Sequence, residues 1–600
     1  MEPDKQVKDI LAKIQAADDD IRDKKDNWML YYKLYRNYRE HLATKGRANE
    51  GLPLAFEWVE IGKSRLFKEF TDRKPYVRVR GQEPADDEPA RGIQIYQNYQ
   101  YGLAKYKQMI YKAASQVYKY GTCIVKYGWK YETGRKMIYQ PVFPDYPEAG
   151  IVPVMQDVVT YDNIFFDVVD LFDFWIDPEA IDIDEAEWCA DRVRRTIDYL
   201  EGKAKQGIYK NIAALKADLM NGIEDTGGSE NDPFKIEKRN IEGHHANLGG
   251  LLKPVEIKTY YTNDRIVSIA NDKFIIRDEE NIYGRKPFRR GVIIGNEHEF
   301  YGIGLIEAGA SLARLLEDIL NNGLDSLNFV INPERIIDET RIDDAELTSQ
   351  PGNVIHTVGD VNTAIRWSEM PDISQSLFQF FALLNEVSKR GTGITDYITG
   401  QGGGSDTATE AQLMTSQSTL RINSHIEMFG DTLVGPLAGD VHELNKYFVT
   451  DEKYVRVTAM GKNPYELVRI TPDMFGANVD FVWEHEGREL DQMVQVQQLN
   501  QALAQANAMP SLWMIAPIIF GKILEQYGYH DNEEIIQAVN VAKEFAKLAM
   551  MQQLMTVGAA PKQGGGLPNA KRYASGEKNT KQSMQKKTSP QRGSVRTETR

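Results

Sequence analysis

Gly62-Lys63-Ser64 carries the ending of a phosphate-binding loop, in which backbone amides wrap the phosphates and a lysine reaches the outer one. That loop needs a glycine five positions before the Gly-Lys pair, and position 57 is Glu57. Gly302-Ile303-Gly304 opens a helical pattern as a dinucleotide turn does, but no following parallel strand ends in an acidic residue. His244-His245 and Glu484-His485-Glu486 carry metal-ligating side chains without a further ligand at a telling spacing. Asp18-Asp19-Asp20 and Asp86-Asp87-Glu88 read as solvated charge runs rather than divalent-ion sites. There is no Gly-x-Ser-x-Gly elbow. The two cysteines, Cys123 and Cys189, are too few for a disulfide framework or a cysteine zinc cluster and read as buried thiols. These residues point to no catalytic centre, no metal and no cofactor.

The elements that would position any site are long. The chain has 600 residues, 42% hydrophobic and 26% charged, enough for about three to five structural units. Its longest apolar run, Leu512 to Phe520, is interrupted by Pro517 and is far short of the ~20 residues of a membrane span. A soluble protein made in a cytoplasm is expected. The net charge is −15, which disfavours sequence-independent gripping of a duplex. It is unevenly spread. Lys562 to Arg600 holds ten basic and two acidic residues, so this tail carries +8 and the remainder −23.

Apolar periodicity predicts helix over 4–45, on to Phe70, and over 89–121, with a strand at Tyr76–Arg80. Gly121 closes the third pattern, and Thr122 to Trp129 reads as a buried strand. Several short strands are expected across 137–176, with turns at Pro144–Pro147 and Asn163. Helix follows over 195–222, then an exposed insertion near 223–250, then strands over 254–294. From Leu305 to Leu327 an apolar stripe at helical spacing predicts a rod about 40 Å long, stopped by Asn332-Pro333. A small strand-and-turn unit leads to a second helix from Pro371 to Gly391. A glycine-rich stretch, Gly391 to Asp406, precedes a third helix opening at Thr407, with Glu410 at capping-box spacing and a kink at Gly435-Pro436. Strands return over 453–484 and helices over 488–556. Glycine, serine and basic residues from Ala559 onward predict disorder.

In this order, several stretches resemble a bacteriophage portal protein, most like those of short-tailed phages. They are Leu66-Phe67-Lys68 to Arg73-Lys74-Pro75-Tyr76; Tyr118-Lys119-Tyr120-Gly121-Thr122-Cys123-Ile124-Val125-Lys126, where Cys123 replaces the family's more usual glycine; and Phe172-Asp173-Phe174-Trp175-Ile176-Asp177-Pro178. Phe300-Tyr301-Gly302-Ile303-Gly304 through Asn321-Asn322-Gly323-Leu324-Asp325, and Gly391-Thr392-Gly393-Ile394 through Thr407-Ala408-Thr409-Glu410-Ala411, complete the likeness, which covers roughly residues 25–490. The resemblance implies an α+β ring subunit: wing at 1–300, stem helix 1 at 301–331, clip at 332–370, stem helix 2 at 371–391, tunnel loop at 392–406, a long helix and returning wing at 407–487, helical crown at 488–558 and a disordered basic tail at 559–600. The 223–250 insertion is outside the family pattern.

The resemblance further implies a non-enzymatic ring, usually of twelve subunits, at one capsid vertex of the virion, through which double-stranded DNA is packaged and ejected. Its implied partners are other copies of the chain, the major capsid protein and scaffold, the terminase that is the packaging ATPase, and tail adaptor proteins, with no membrane. Implied tunnel-loop residues are Thr392, Asp396, Tyr397, Gly402, Gly403, Gly404 and Ser405. Stem candidates for the lumen are Arg314, Asp318, Asn322, Asp325, Lys389 and Arg390, with Leu305, Leu312 and Leu316 packing on neighbours. Clip candidates are Arg335, Arg341, Asp343 and Asp344; tail candidates for DNA contact are Lys571, Arg572, Lys586 and Lys587. Another virion structural protein, such as a tail connector or internal scaffold, is the alternative. A packaging enzyme would need the phosphate loop and carboxylate cluster that the sequence does not offer.

Overall fold

The computed structural model describes residues 3–39, 47–72, 74–143, 146–220, 232–243, 254–331, 335–337, 340, 358, 365–367, 374–394, 420–456, 467–483 and 541. The chain divides into two compact units, Met1–Gln497 and Gln498–Arg600, and every described residue except Val541 lies in the first.

Helices α1 (Pro3–Asp20) and α2 (Arg22–Tyr35) bury Val7, Ile10, Ile14 and Ala17, then Trp28, Tyr31 and Tyr32, at the spacing of one helical face. The single helix expected here breaks at Ile21. Helix α3 (Leu54–Thr71) follows. The continuous helix expected over 89–121 is two, α4 (Asp87–Leu103) and α5 (Tyr106–Tyr120), because Lys105 adopts a left-handed φ of 57°. Ile110, Ala113, Ala114, Val117 and Tyr118 of α5 are fully enclosed, so this helix is the centre of the core.

Gly121 ends α5 at φ 85°. A Cβ there would lie 2.0 Å from the Gly302 carbonyl oxygen. Gly302 and Gly304 therefore serve close backbone packing against the end of α5 rather than a nucleotide turn. Gly62 answers the other glycine motif. It sits within α3 under the Tyr118 ring, where a Cβ would come within 2.4 Å.

A five-stranded antiparallel sheet has the order β4-β5-β6-β7-β8: Phe174–Ile176, Cys189–Arg195, Val255–Tyr261, Arg265–Ala270 and Phe274–Glu280. A second sheet, β3-β2-β9, departs from expectation. β2 (Thr122–Phe143) and β3 (Tyr146–Val169) form one long antiparallel ribbon rather than several short strands. Asn163 is not in a turn; it is paired with Lys130 and buried. β9 (Phe288–Val292) covers only Thr122 to Lys126 of β2. β1 (Arg78–Gly81) pairs with β14 (Val479–Val482), and β12 (Lys453–Arg456) with β13 (Leu467–Ile470).

Helices α6 (Ile197–Lys205) and α7 (Ile212–Met220) precede α8 (Pro233–Glu242), which lies inside the expected exposed insertion. The insertion is in part a docked helix. Asp232 caps it and accepts from Arg192 at 2.6 Å, Lys238 donates to Asp170 at 2.6 Å, and Phe234 packs on Phe172. His244 and His245 lie outside the described residues. Charge-assisted bonds add to the packing of Phe234 and Ile241 in holding this helix, and two apolar contacts are too few for hydrophobic periodicity to reveal it.

The rod is α9 (Leu305–Ile331), and α10 (Ser374–Thr392) packs along it. Between them in sequence, β10 (Arg335–Ile337) pairs with β11 (Ile365–Trp367). Leu305 and Leu316 are buried within their own chain, correcting the expectation that they face neighbours; Leu312 is half-buried. Trp58 packs across Gly309 of α9. Residues 420–429 are helical and run through a π-helical segment, Gly430–Val434, into α11 (Gly435–Phe448). Pro436 has no N–H to continue the ladder, which accounts for the irregularity just ahead of the expected kink.

Candidate functional site

The structure brings together α9, α10, a strap at 47–52, and the described residues on either side of 395–419. Along α9, Glu317, Asn321 and Asp325 are four residues apart and share one helical face. The strap is read off that ladder. Leu52 N–H donates to Glu317 at 3.2 Å, Glu50 N–H to Asn321 at 2.7 Å and Ala48 N–H to Asp325 at 2.7 Å. Alternate residues of an extended chain point the same way, which matches the one-turn repeat of the helix. Asn321 also donates to the Glu50 carbonyl at 2.9 Å, and Arg39 lies 3.1 Å from Glu317. The sequence reading missed this strap, because nothing in residues 47–52 signals a helix-bound extended segment.

Asp325 is thus anchored within its own chain, its side chain 13% exposed, and does not belong to an open wall. Arg314, Asp318 and Asn322 are exposed on α9, with Asp318 3.7 Å from Arg39. Lys389 is half-buried near the end of α10, and exposed Arg390 pairs with Glu386 one turn earlier. Thr392 corrects the expected loop boundary. It is the last residue of α10, is buried, and its hydroxyl donates to the Ser388 carbonyl at 2.9 Å. Gly393, not Gly391, closes the helix, at φ 77°. Asp396, Tyr397, Gly402, Gly403, Gly404, Ser405, Thr407 and Glu410 lie outside the described residues. So do Arg341, Asp343, Asp344, the Arg335 side chain, Glu484-His485-Glu486, Lys571, Arg572, Lys586 and Lys587.

Arg421 reaches back from the following helix to donate to the Gly391 carbonyl at 2.8 Å, and Ile394 and Ile422 are both buried. The described residues on either side of 395–419 are thus fastened at the end of α10.

One face of α10 is left exposed. Phe378 points toward Gly323 of α9. On the side away from it, Phe380, Leu383 and Val387 fall within about 60° of arc at ~100° per residue, and are 48%, 56% and 47% exposed. An apolar stripe this exposed, on a helix whose contact with α9 lies on another side, marks a surface for another molecule.

Covalent chemistry finds no support in the cysteines. Both are buried and unpaired, and burial pushes the Cys123 thiol up to about 12, away from the reactive thiolate. Among the described residues no group of three or more His, Cys, Asp or Glu side chains could hold a metal ion, and no helix is long and apolar enough to cross a membrane.

No curated protein matches the chain. The family model described as "Phage SU10 portal protein" matches residues 7–587, nearly the whole length, and on that match the chain belongs to this family of phage portal proteins.

Proposed function

We propose that copies of this chain close into a ring at one capsid vertex and that the ring is the channel through which double-stranded DNA enters and leaves the virion. The stripe of Phe380, Leu383 and Val387 on α10 carries this reading. It is an apolar surface left bare by a helix already packed on α9, as a subunit contact in a closed ring requires. In this reading α9 and α10 are the stem, β10 and β11 begin and end the clip, and residues 395–419 contain a loop reaching the lumen. Residues 1–300 with 450–487 form the wing, residues 488–558 the crown, and the subunits number twelve.

The protein's part is structural and passive. Sliding DNA is hindered by each phosphate contact, since each adds affinity. A body carrying −23 repels the backbone and keeps the duplex centred. Exposed Arg314, Asp318 and Asn322 of α9 are the described wall candidates. The terminase, which supplies ATP hydrolysis, docks at the clip, where Arg335, Arg341, Asp343 and Asp344 lie; tail adaptor proteins take the same end after packaging. The major capsid protein and scaffold meet the wing. The basic tail, with Lys571, Arg572, Lys586 and Lys587, is the segment able to touch packaged DNA.

Mass photometry and negative-stain microscopy of the purified full chain test the ring. Rings with a central hole are expected, and replacing Phe380, Leu383 and Val387 by Ser should lower ring yield about tenfold or more while leaving folded subunits. Wild-type monomers that hydrolyse ATP would overturn the reading.

A further inference from the structure

The β2–β3 ribbon extends well past the described strand that pairs with it. Among the described residues, its two strands beyond Lys130 and Asp162 have only each other, because β9 stops at Lys126 and no described strand pairs the outer edge of β3. An isolated two-stranded ribbon is marginal in water unless something covers it. Its register sorts the side chains into two faces. One face carries the Met137–Met155 pair and Val159, with Arg135 opposite Asp157. The other carries the Ile138–Val154 and Gly134–Val158 pairs, with Val152 beyond and Lys136 opposite Gln156. Both faces are open: Met137 is 56%, Met155 65% and Val154 40% exposed.

Three observations choose the occupant. First, the ribbon's charges are largely matched internally, Lys130 with Glu132 at 2.8 Å and Arg135 with Asp157 at 3.5 Å, so the ribbon has no charge to recruit nucleic acid. Second, Pro141 and Pro153 have no N–H, which blunts addition of a further strand at the edges and leaves the faces as the binding surfaces. Third, there are two different apolar faces. A single foreign partner needs one, whereas a head-to-tail contact repeated around a ring uses two unlike surfaces of the same element.

We infer that the ribbon is a second subunit contact, in which the Met137–Met155 face of one copy lies against the Val152–Val154 face of the next copy. This rests on the ring reading and adds a contact separate from α10. It also accounts for the length of the ribbon, since none of the described distal side chains is buried in the subunit core.

Two full-length variants test it, Met137→Glu with Met155→Glu on one face, and Val152→Glu with Val154→Glu on the other. All four positions are exposed, so circular dichroism and melting temperature of the free subunit should stay at wild-type values. Each variant alone should lose rings by about tenfold or more. An equimolar mixture should give head-to-tail dimers through the one intact pair of faces, measured by mass photometry. A cysteine placed at Met155 should label freely in the subunit and be protected in the ring, against a background of two buried thiols. Wild-type ring yield from either folded variant, or a label equally reactive in rings and subunits, would overturn the inference and leave the ring reading intact. Absence of rings from wild-type protein would instead fail the ring reading itself.

Discussion

His442, on α11, is buried against the rings of Phe475 and Phe481, at 6.0 and 5.4 Å between centroids. Neither of its ring nitrogens has a hydrogen-bond partner among the described residues. Burial, with nearby Lys446 adding to it, lowers its pKa to about 4. The unfolded chain takes up a proton near pH 6.5 and the folded chain does not until about pH 4. Stability is therefore unaffected by this group above pH 6.5 and falls as pH drops from 6.5 toward 4, by up to ~3 kcal/mol. His425, which meets the Tyr118 ring edge-on and is lowered to about 4 by burial, acts in the same sense. Replacing His442 by Phe should keep the aromatic packing and remove the titration. Denaturant unfolding at pH 7 and pH 4.5 should then show a smaller loss of stability on acidification than in the wild type. An unchanged difference would mean that His442 is not the titrating group. The same local reading limits what residue types alone could reveal. Lys63 looked like a phosphate lysine by its neighbours in sequence, yet its ammonium is buried and donates to the Tyr111 hydroxyl at 3.0 Å.

Between elements, α9 was legible because its apolar residues repeat at helical spacing over 27 residues, and the structure begins it at Leu305, as that stripe does. Its polar face was not legible, because the partner is a strap some 270 residues earlier in the chain. Asp325 and Asn322 look alike in a list of polar residues, yet one accepts a backbone N–H and the other faces outward. The ribbon was misread for a different reason. Its described distal residues are mostly exposed on both faces, so no alternation of apolar and polar residues marks them, and Pro141 and Pro153 punctuate a pairing that also shifts register at Glu132/Thr133 and Pro141/Phe143. Helix α8 escaped because only Phe234 and Ile241 mark its apolar side and charged pairs supply the rest of the hold. The strap has a measurable consequence. Asn321→Ala removes the bonds to both backbone groups of Glu50 and should cost about 2 kcal/mol. Asp318→Asn, three residues away and exposed, should change stability by less than ~0.5 kcal/mol. Chemical denaturation of the two variants checks the contrast, and equal effects would mean that the strap is not fastened by the ladder.

At the scale of the whole molecule, the net charge of −15 hides a division that matters once the chain is placed in a ring. In the ring proposed above, the −23 body would line the route and the +8 tail would be the segment able to touch DNA, so passage and contact would fall to different parts of the chain. In the proposed ring, residues 395–419 contain the loop that follows DNA, and the described residues flanking them are fastened by Arg421 and the buried Ile394 and Ile422. Fastened ends mean that shortening the loop need not disturb what anchors it, because closing a shorter loop changes the entropy of the chain only slightly. Deleting Gly402, Gly403 and Gly404 should therefore leave ring yield and melting temperature near wild type while packaging, or retention of packaged DNA, falls. Residues with a Cβ lack the backbone conformations that three consecutive glycines offer to a loop riding on a moving duplex. In-vitro packaging with nuclease protection of the DNA measures the loss. Subunits that fail to assemble after the deletion would make the loop a structural element of the ring, and full packaging would remove it from the path of the DNA.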